Sequence, residues 1–195
     1  MGQLHFILGG ARSGKSTFAQ ELACRMAGDD VLFVATAEAS DPEMEARIRH
    51  HRSQRPPAWR TLEAPLHAGA RVAEALTGSE KAILLDCLTL LVSNAIIAAG
   101  GEREPVAAAA AVEAEVEALL RCTSLGPHLI VVSNEVGLGL VPEYPLGRLY
   151  RDSLGRANQI VAERADRVYF LVAGIPVDLK RLADSLQGPS PPDPG

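Results

Sequence analysis

The segment from Gly9 to Ser16, Gly-Gly-Ala-Arg-Ser-Gly-Lys-Ser, constrains this 195-residue chain more than any other feature. An apolar run precedes it and a helix-compatible stretch follows it, which is the setting of a phosphate-binding loop between a strand and a helix. Gly9 and Gly14 allow the backbone to curl, so that successive N–H groups point into one concavity at the positive end of the helix. The sequence therefore predicts a nucleoside triphosphate site built from Gly9, Gly10, Ala11, Arg12, Ser13, Gly14, Lys15 and Ser16.

Three side chains suited to phosphate and metal accompany this loop. Lys15 is placed to reach the β- and γ-phosphates, and the Ser16 hydroxyl is placed to bind Mg²⁺. Asp86 ends the apolar run Ala82–Asp86, as expected for a carboxylate that holds the same Mg²⁺ directly or through water. The other interpretation of Asp86 is a cap for the following turn, since many buried strands end in aspartate. The phosphate-binding loop favours the metal role.

Continuous apolar and β-branched runs predict buried parallel strands, and helical segments alternate with them. The predicted strands are residues 4–8, Val31–Thr36, Ala82–Asp86, Leu129–Ser133 and Val168–Val172. The predicted helices begin at Asp41 or cover Pro105–Arg121 and Leu146–Arg164. This alternation indicates an α/β fold with a mainly parallel sheet and helices on both faces. The nucleotide is expected at the carboxyl ends of the strands.

Length and composition favour a single globular domain. We expect one nucleotide-binding domain over residues 1–183 and a disordered Pro-rich tail over residues 184–195. The formal net charge of −5 argues against nucleic acid as a partner. The three cysteines, far apart in the chain, indicate neither a disulfide framework nor a zinc site. Without a signal peptide or an apolar run long enough to span a bilayer, the expected location is cytoplasmic.

The segment after Asp41 is unusual because it places two histidines among arginines. On a helix from Asp41, Met44, Ile48 and His51 share one face, whereas His50 is turned away from it. Three interpretations remain open for His51. It could be a helix-terminal histidine stabilised by the helix dipole, half of a metal pair, or a nucleophile that attacks phosphorus. The metal pair is disfavoured, because adjacent side chains on a helix diverge too far to share one ion.

Several further blocks make the sequence recognisable when taken in order. They are Val34–Thr36, Arg47-Ile48-x-x-His51-Arg52-x-x-Arg55-Pro56, Trp59-Arg60-Thr61-x-Glu63, Leu85–Thr89, Ser133–Gly137 and Tyr150-Arg151-Asp152-x-x-Gly155-x-x-Asn158-Gln159. With the phosphate-binding loop, the chain resembles the bifunctional adenosylcobinamide kinase/adenosylcobinamide-phosphate guanylyltransferase family of cobalamin biosynthesis. The resemblance covers roughly residues 4–180 and leaves out the Pro-rich tail.

The resemblance implies two reactions on small-molecule substrates. ATP or GTP first gives its terminal phosphate to the aminopropanol hydroxyl of adenosylcobinamide. A histidine then attacks the α-phosphorus of GTP and expels pyrophosphate, and the bound GMP passes to the phosphorylated cobinamide to give adenosylcobinamide-GDP. The resemblance also implies a P-loop NTPase fold with a RecA-like sheet, and a homotrimer.

The same resemblance assigns roles to individual residues. The family's histidine maps to His51, although a slip of one residue would select His50. Catalytic roles fall to His51 and Lys15. Beyond the phosphate-binding loop, the implied nucleotide-binding residues are Ala35, Thr36, Ala37, Arg52, Ser53, Gln54, Arg55, Glu63 and Asp86. A plainer interpretation of Glu63 is a surface ion pair with Arg60.

Two rival functions stay open at this point. One is a monofunctional P-loop small-molecule kinase in which His51 is only structural. It predicts transfer of the γ-phosphate without any nucleotide bound covalently to the enzyme. The other is a nucleotide-sensing or assembly module of RecA type, which predicts no response of GTP turnover to a corrinoid. The acidic charge of the chain counts against the second rival.

Overall fold

Seven strands form one sheet in the computed structural model, which describes residues 2–38, 45–46, 49, 52–53 and 55–187. In chain order the strands are β1 (Leu4–Gly9), β2 (Val31–Ala35), β3 (Arg60–Glu63), β4 (Ala82–Asp86), β5 (His128–Asn134), β6 (Arg167–Val172) and β7 (Ile175–Asp178). They lie side by side in the order β3-β2-β4-β5-β1-β6-β7. The first six pair in parallel, and β7 runs antiparallel to β6 along the edge. The strand that leads into the phosphate-binding loop, β1, is therefore interior.

Helices connect these strands. Those with described bounds are α1 (Lys15–Ala27), α2 (Ala68–Ala75), α3 (Leu88–Ala98), α4 (Pro105–Leu120), α5 (Pro145–Arg164) and α6 (Leu179–Gln187). Both α4 and α5 begin with a proline, whose fixed φ suits the first helical position and whose missing N–H costs nothing there. Short 3₁₀ turns, Gly101–Arg103 and Arg121–Leu125, precede and follow α4.

Apolar side chains from the two faces of the sheet form two cores. One core contains Phe6 and Leu85 from the strands, together with buried residues of α2, α3, α4 and α5. The other contains Ile7 and Phe33, together with buried residues of α1. The central strands face a core on both sides, which is why they read as continuous apolar runs. The predicted α/β fold, with helices on both faces of a mainly parallel sheet, is confirmed.

The predicted elements agree closely with the observed ones. Each of the five predicted strands is present, with bounds that differ from the prediction by at most one residue at either end. The helices predicted over Pro105–Arg121 and Leu146–Arg164 are α4 and α5, again within one residue. The outermost strands β3 and β7 and the helices α2, α3 and α6 were not predicted.

Some predictions concern residues at the end of the described part of the chain or outside it. The helix start at Asp41, together with His50, His51 and Gln54, lies outside those residues. The described helix α6 continues to Gln187, so residues 184–187 are helical where the sequence predicts the start of a tail. Residues 188–195 lie outside the described part of the chain. Within the described part, no helix is both long and apolar enough to cross a membrane.

Candidate nucleotide and phosphoryl-transfer site

The phosphate-binding loop joins the carboxyl end of β1 to the first turn of α1. Its backbone is tightly curled, with a φ of 56° at Arg12 and 92° at Gly14. The Ser13 N–H donates to the Gly10 carbonyl at 3.3 Å. A Cβ at Gly9 would lie 2.6 Å from the Ser13 hydroxyl oxygen and 2.7 Å from the Leu171 carbonyl oxygen. The first glycine is therefore required by close packing inside the loop.

Lys15 lies within the concavity that this loop forms. Its side chain is buried, and its ammonium donates to the Gly10 carbonyl at 2.6 Å. Burial lowers the pKa of Lys15 below its ordinary value, while Cys87 and Asp86 act in the opposite direction. The buried Ser13 hydroxyl has no hydrogen-bond partner among the described residues. A buried cation and an unsatisfied hydroxyl in a curled backbone are suited to bind phosphate oxygens.

Asp86 lies at the same edge of the sheet, at the carboxyl end of β4. Its strand partners are Ala35 of β2 and Val132 of β5. Only β5 separates its strand from β1, so the predicted metal carboxylate and the phosphate-binding loop are two strands apart. The influence of Asp86 on the pKa of Lys15 indicates that the two charges lie near each other.

Hydrogen bonds fix the chain on both sides of Asp86. Thr36, which follows β2, contacts the backbone of Cys87 through its hydroxyl. Asn94 of α3 donates from its side-chain amide to the carbonyls of Thr36 and Pro65, both at 3.0 Å. Burial raises the pKa of the Cys87 thiol to about 11, with Asp86 adding to the shift. Cys87 is therefore a neutral thiol at physiological pH and is not suited to act as a nucleophile.

The donor set at this edge fits Mg²⁺. Ser16 is the second residue of α1, next to Lys15, and offers a hydroxyl oxygen, and Asp86 offers a carboxylate. Mg²⁺ prefers hard oxygen ligands and commonly binds through one or two protein groups, with phosphates and water completing its octahedron. Among the described residues, no group of three or more His, Cys, Asp or Glu side chains could hold a metal ion. A sparse oxygen site of this kind does not need such a group.

Arg55 reaches the site from the segment before β3. Its guanidinium carbon lies 3.7 Å from the ring centroid of Phe33, which is a cation–π contact. Burial lowers the pKa of Arg55, and the nearby Asp86 carboxylate opposes that shift. Its buried Nε has no hydrogen-bond partner among the described residues. Arg55 thus holds an unsatisfied donor close to the carboxylate expected to bind metal.

Glu63 and Arg52 lie further out on the same flank. The Arg52 guanidinium is 3.9 Å from the Glu63 carboxylate, and both side chains are largely exposed. The alternative predicted for Glu63, an ion pair with Arg60, is wrong, because Arg60 pairs with the buried Glu80. An exposed ion pair at this distance contributes little to stability and remains free to rearrange around a ligand.

The remaining predicted nucleotide residues divide into two groups. Ala35 and Thr36 are buried at the end of β2, Ala37 is half-buried beside them, and Ser53 is exposed. His51 and Gln54, like the alternative His50, lie outside the described residues. The structure thus brings the phosphate-binding loop, the end of β2, Asp86, Arg55 and Glu63 to one edge of the sheet.

Glu135 also belongs to this edge, although no role was predicted for it from the sequence. It follows β5 directly, and its N–H donates to the Gly9 carbonyl at 3.2 Å. Its carboxylate accepts a hydrogen bond from the Gly137 N–H at 2.6 Å. The available signal was the position of Glu135 immediately after a buried strand, within a block already singled out by its residues.

A polar network supports the end of β5. The Ser133 hydroxyl donates to the Asn158 side-chain oxygen at 2.7 Å, and the Asn158 amide donates to the Asn134 carbonyl at 3.1 Å. The Asn134 N–H donates to the Thr89 hydroxyl at 2.9 Å. Three separate sequence blocks therefore meet behind the site through side chains that are buried or half-buried.

Comparisons with known proteins agree along most of the chain. The sequence profile of the family described as cobinamide kinase / cobinamide phosphate guanyltransferase matches residues 5–179. The bifunctional adenosylcobalamin biosynthesis protein CobP of Pseudomonas aeruginosa is 47% identical over 176 residues, which cover 89% of this chain and 95% of that protein. The CobU protein of the same description from Salmonella typhimurium is 42% identical over 182 residues, with 89% and 98% covered. The CobU protein from Escherichia coli is 40% identical over the same length, with the same coverage.

Proposed function

This chain belongs to the cobinamide kinase / cobinamide phosphate guanyltransferase family, and we propose that it performs both activities at the edge of the sheet that carries the phosphate-binding loop. Its small-molecule substrates are then cobinamide, in the adenosylated form, and ATP or GTP. The sequence matches carry this proposal, because the family profile matches residues 5–179 and the alignments cover 95% and 98% of two relatives described as bifunctional. The curled loop with its buried lysine supports it independently.

In the kinase step, the hydroxyl oxygen of cobinamide attacks the γ-phosphorus of ATP or GTP. A new P–O bond forms, the bond to the β-phosphate oxygen breaks, and the nucleoside diphosphate leaves as the hydroxyl proton is lost. We assign to Lys15 and the N–H groups of the loop the binding of the β- and γ-phosphates. We assign to Ser16 and Asp86 the binding of Mg²⁺, which neutralises charge on the transferred group.

In the guanylyl step, we propose His51 as the nucleophile. A neutral imidazole nitrogen attacks the α-phosphorus of GTP, a P–N bond forms, and pyrophosphate leaves. An oxygen of cobinamide phosphate then attacks the same phosphorus, and the P–N bond breaks to release cobinamide-GDP and the histidine. Arg52 and Arg55 are proposed to neutralise the phosphates, and Glu63 to bind the base or ribose. The proposed role of Arg55 is supported by its buried Nε, which has no hydrogen-bond partner among the described residues and could donate to a phosphate oxygen.

Intact-mass analysis after incubation with GTP and Mg²⁺ tests the nucleophile. Wild type and His50→Ala are expected to gain the mass of one GMP, whereas His51→Ala should gain none. An adduct on His51→Ala but not on His50→Ala would move the role to His50. No adduct on any of the three, with GTP still bound, would favour the monofunctional kinase with a structural histidine.

We further propose a single nucleotide-binding domain that acts as a cytoplasmic homotrimer. The single domain is supported by the one sheet, whose strands span Leu4–Asp178. Self-association is supported by exposed apolar side chains on the outermost hairpin and α6, with Val172 55%, Ile175 67% and Leu186 80% exposed. The cytoplasm is where the nucleotides that both steps consume are abundant. Analytical ultracentrifugation of the wild-type protein tests the trimer, and a monomer would contradict it.

A further inference from the structure

The loop between β5 and α5 displays large apolar side chains to solvent. Leu138 is 83%, Leu140 97%, Val141 62% and Tyr144 66% exposed. We call these four residues the acceptor strip. Single exposed apolar residues are ordinary on protein surfaces, but four within seven residues of one loop mark a binding surface. A loop free of any binding role would lose little by carrying polar residues here.

Hydrogen bonds between side chains and the backbone hold this loop in place. The Arg148 guanidinium donates to the carbonyls of Pro142 and Glu143, at 3.1 and 2.6 Å. At its start, the Gly137 N–H donates to the Glu135 carboxylate. The ring of Tyr144 lies close to Gly147 of α5, whereas the side chains of Leu138, Leu140 and Val141 are left exposed and available to a ligand.

The loop that carries the acceptor strip begins beside the part of the site where the γ-phosphate is expected. Its loop begins at Glu135, whose N–H donates to the first carbonyl of the phosphate-binding loop at Gly9. Since β5 lies between β1 and β4, the loop rises between the phosphate-binding loop and Asp86. The opposite flank is covered by the β6–β7 turn, where the Gly174 N–H donates to the Ser13 carbonyl at 2.9 Å.

We propose that the acceptor strip binds the corrin macrocycle of cobinamide while its hydroxyl is presented to the γ-phosphate. This inference rests on the proposed function and deepens it. A hydroxyl that attacks in line must approach the γ-phosphorus from the side away from the leaving nucleoside diphosphate. The macrocycle is much bulkier than its reactive arm, so it must rest on protein surface beside that flank.

The chemistry of the loop matches a corrinoid better than a nucleotide. The rim of a corrin carries many methyl groups, which leucine and valine side chains can cover. The charged residues between 135 and 144 are Glu135 and Glu143, and the Arg148 guanidinium contacts the loop from α5, so these three side chains carry one net negative charge. A cobalt(III) corrinoid with an alkyl ligand carries a net positive charge, which this negative charge attracts, whereas it repels a nucleoside triphosphate. The charge of the loop therefore favours the acceptor over the phosphate donor.

The double variant Leu138→Ser/Leu140→Ser tests the acceptor strip. Both side chains are almost fully exposed, so folding should be unaffected. Leu125→Ser is the matched control, because Leu125 lies in the 3₁₀ turn before β5, at the opposite edge of the sheet. Equilibrium dialysis with cobinamide, without nucleotide, measures binding directly. Steady-state rates with ATP give kcat/KM for cobinamide, and native mass gives the oligomeric state.

We expect the double variant to bind cobinamide, and to use it, about tenfold less well, because two leucine contacts are lost. The GMP adduct formed from GTP alone, the KM for ATP and the native mass should equal those of wild type and Leu125→Ser. Unchanged cobinamide binding would overturn the proposal. A smaller native mass would also overturn it, because the acceptor strip would then contact a second copy of the chain. If wild type forms no GMP adduct, the proposed function fails, whereas the dialysis result still decides the role of the strip.

Discussion

The hydroxyl of Thr36 accepts a hydrogen bond from the Cys87 N–H at 2.9 Å and donates one to the Cys87 carbonyl at 2.7 Å. One fully buried side chain thus satisfies both polar groups of the residue that follows Asp86. Because β2 and β4 are neighbours, this pair of bonds fixes the end of one strand against the end of the other. The carboxylate assigned to metal binding is held by this contact.

Thr36→Val should therefore reduce stability and both activities. The replacement keeps the shape of the side chain but leaves the Cys87 N–H without a partner and its carbonyl with only the bond from the Leu91 N–H, at a cost of about 1–3 kcal/mol. Urea denaturation measures the stability, and initial rates measure the activities. Thr36→Ser keeps the hydroxyl and should retain most of both. Equal stability of the valine and serine variants would contradict the role given to the hydroxyl.

Lys15→Ala should lower both the kinase rate and the yield of GMP adduct by about 100-fold or more, since a buried cation aimed at phosphates is removed. Lys81→Ala is the control, because Lys81 is exposed and pairs with Asp30 away from the site. Both reactions are assayed on the same preparations. Loss of only one of them would show that the two steps do not share this loop.

Gly9→Ala and Gly10→Ala should differ although the two glycines are adjacent. A Cβ at Gly9 would overlap the Ser13 hydroxyl and the Leu171 carbonyl, whereas a Cβ at Gly10 meets nothing within 4 Å. Overpacking of this kind costs about 1–3 kcal/mol. Thermal melts without nucleotide should therefore show a lower Tm for Gly9→Ala alone. Matching melting temperatures would mean that the loop relaxes around the added methyl group.

Acidification should destabilise the protein through His5, which is buried on β1 and has no hydrogen-bond partner among the described residues for either ring nitrogen. Burial lowers the pKa of His5, and the charge of His128 lowers it further. Arg167 acts in the same direction, whereas Asp166 and Asp178 oppose it. In the unfolded chain His5 therefore takes up a proton near pH 6.5, whereas in the folded protein it does so only at a lower pH. Stability from this group is complete above pH 6.5 and falls as the pH drops through and below that value.

His5→Phe should flatten this pH dependence. The phenyl ring can keep the stacked contact with Tyr169, where the centroids are 6.3 Å apart, and it cannot titrate. The free energies of unfolding at pH 7.5 and pH 5.5 are compared for wild type and His5→Phe. The wild type should lose more stability than His5→Phe on acidification. An equal loss in both would assign the effect to other groups.

Burial explains which strands the sequence revealed. Strands β1, β2, β4 and β5 are covered on both faces and carry continuous apolar runs. By contrast, β3 is a largely exposed edge strand of four residues, Arg-Thr-Leu-Glu, and has no apolar run to detect. Similarly, β7 is exposed and contains a proline, which argues against a strand when read from sequence.

In the candidate site, some residues could be predicted from the sequence and others could not. Lys15, Ser16 and Asp86 could be predicted because each belongs to a short local pattern whose chemistry is known. The cation–π contact of Arg55 with Phe33 and the bond from Glu135 to Gly9 join residues far apart in sequence. No local pattern encodes such contacts, because the sheet order creates them. The roles assigned to all of these residues stay predictions, and His51 and Gln54 also lie outside the described residues.

The two outer strands also limit how copies of this protein can meet. Pro176 in β7 has no N–H to offer a further strand, and β3 is short and bordered by the charged side chains of Arg60 and Glu63. Such edges discourage the strand-to-strand addition through which sheets grow into aggregates and fibrils. We therefore expect a stable assembly to form through side chains on helices, loops or sheet faces. The chain can therefore expose apolar side chains for association, while its edge strands offer little backbone for the addition of further strands.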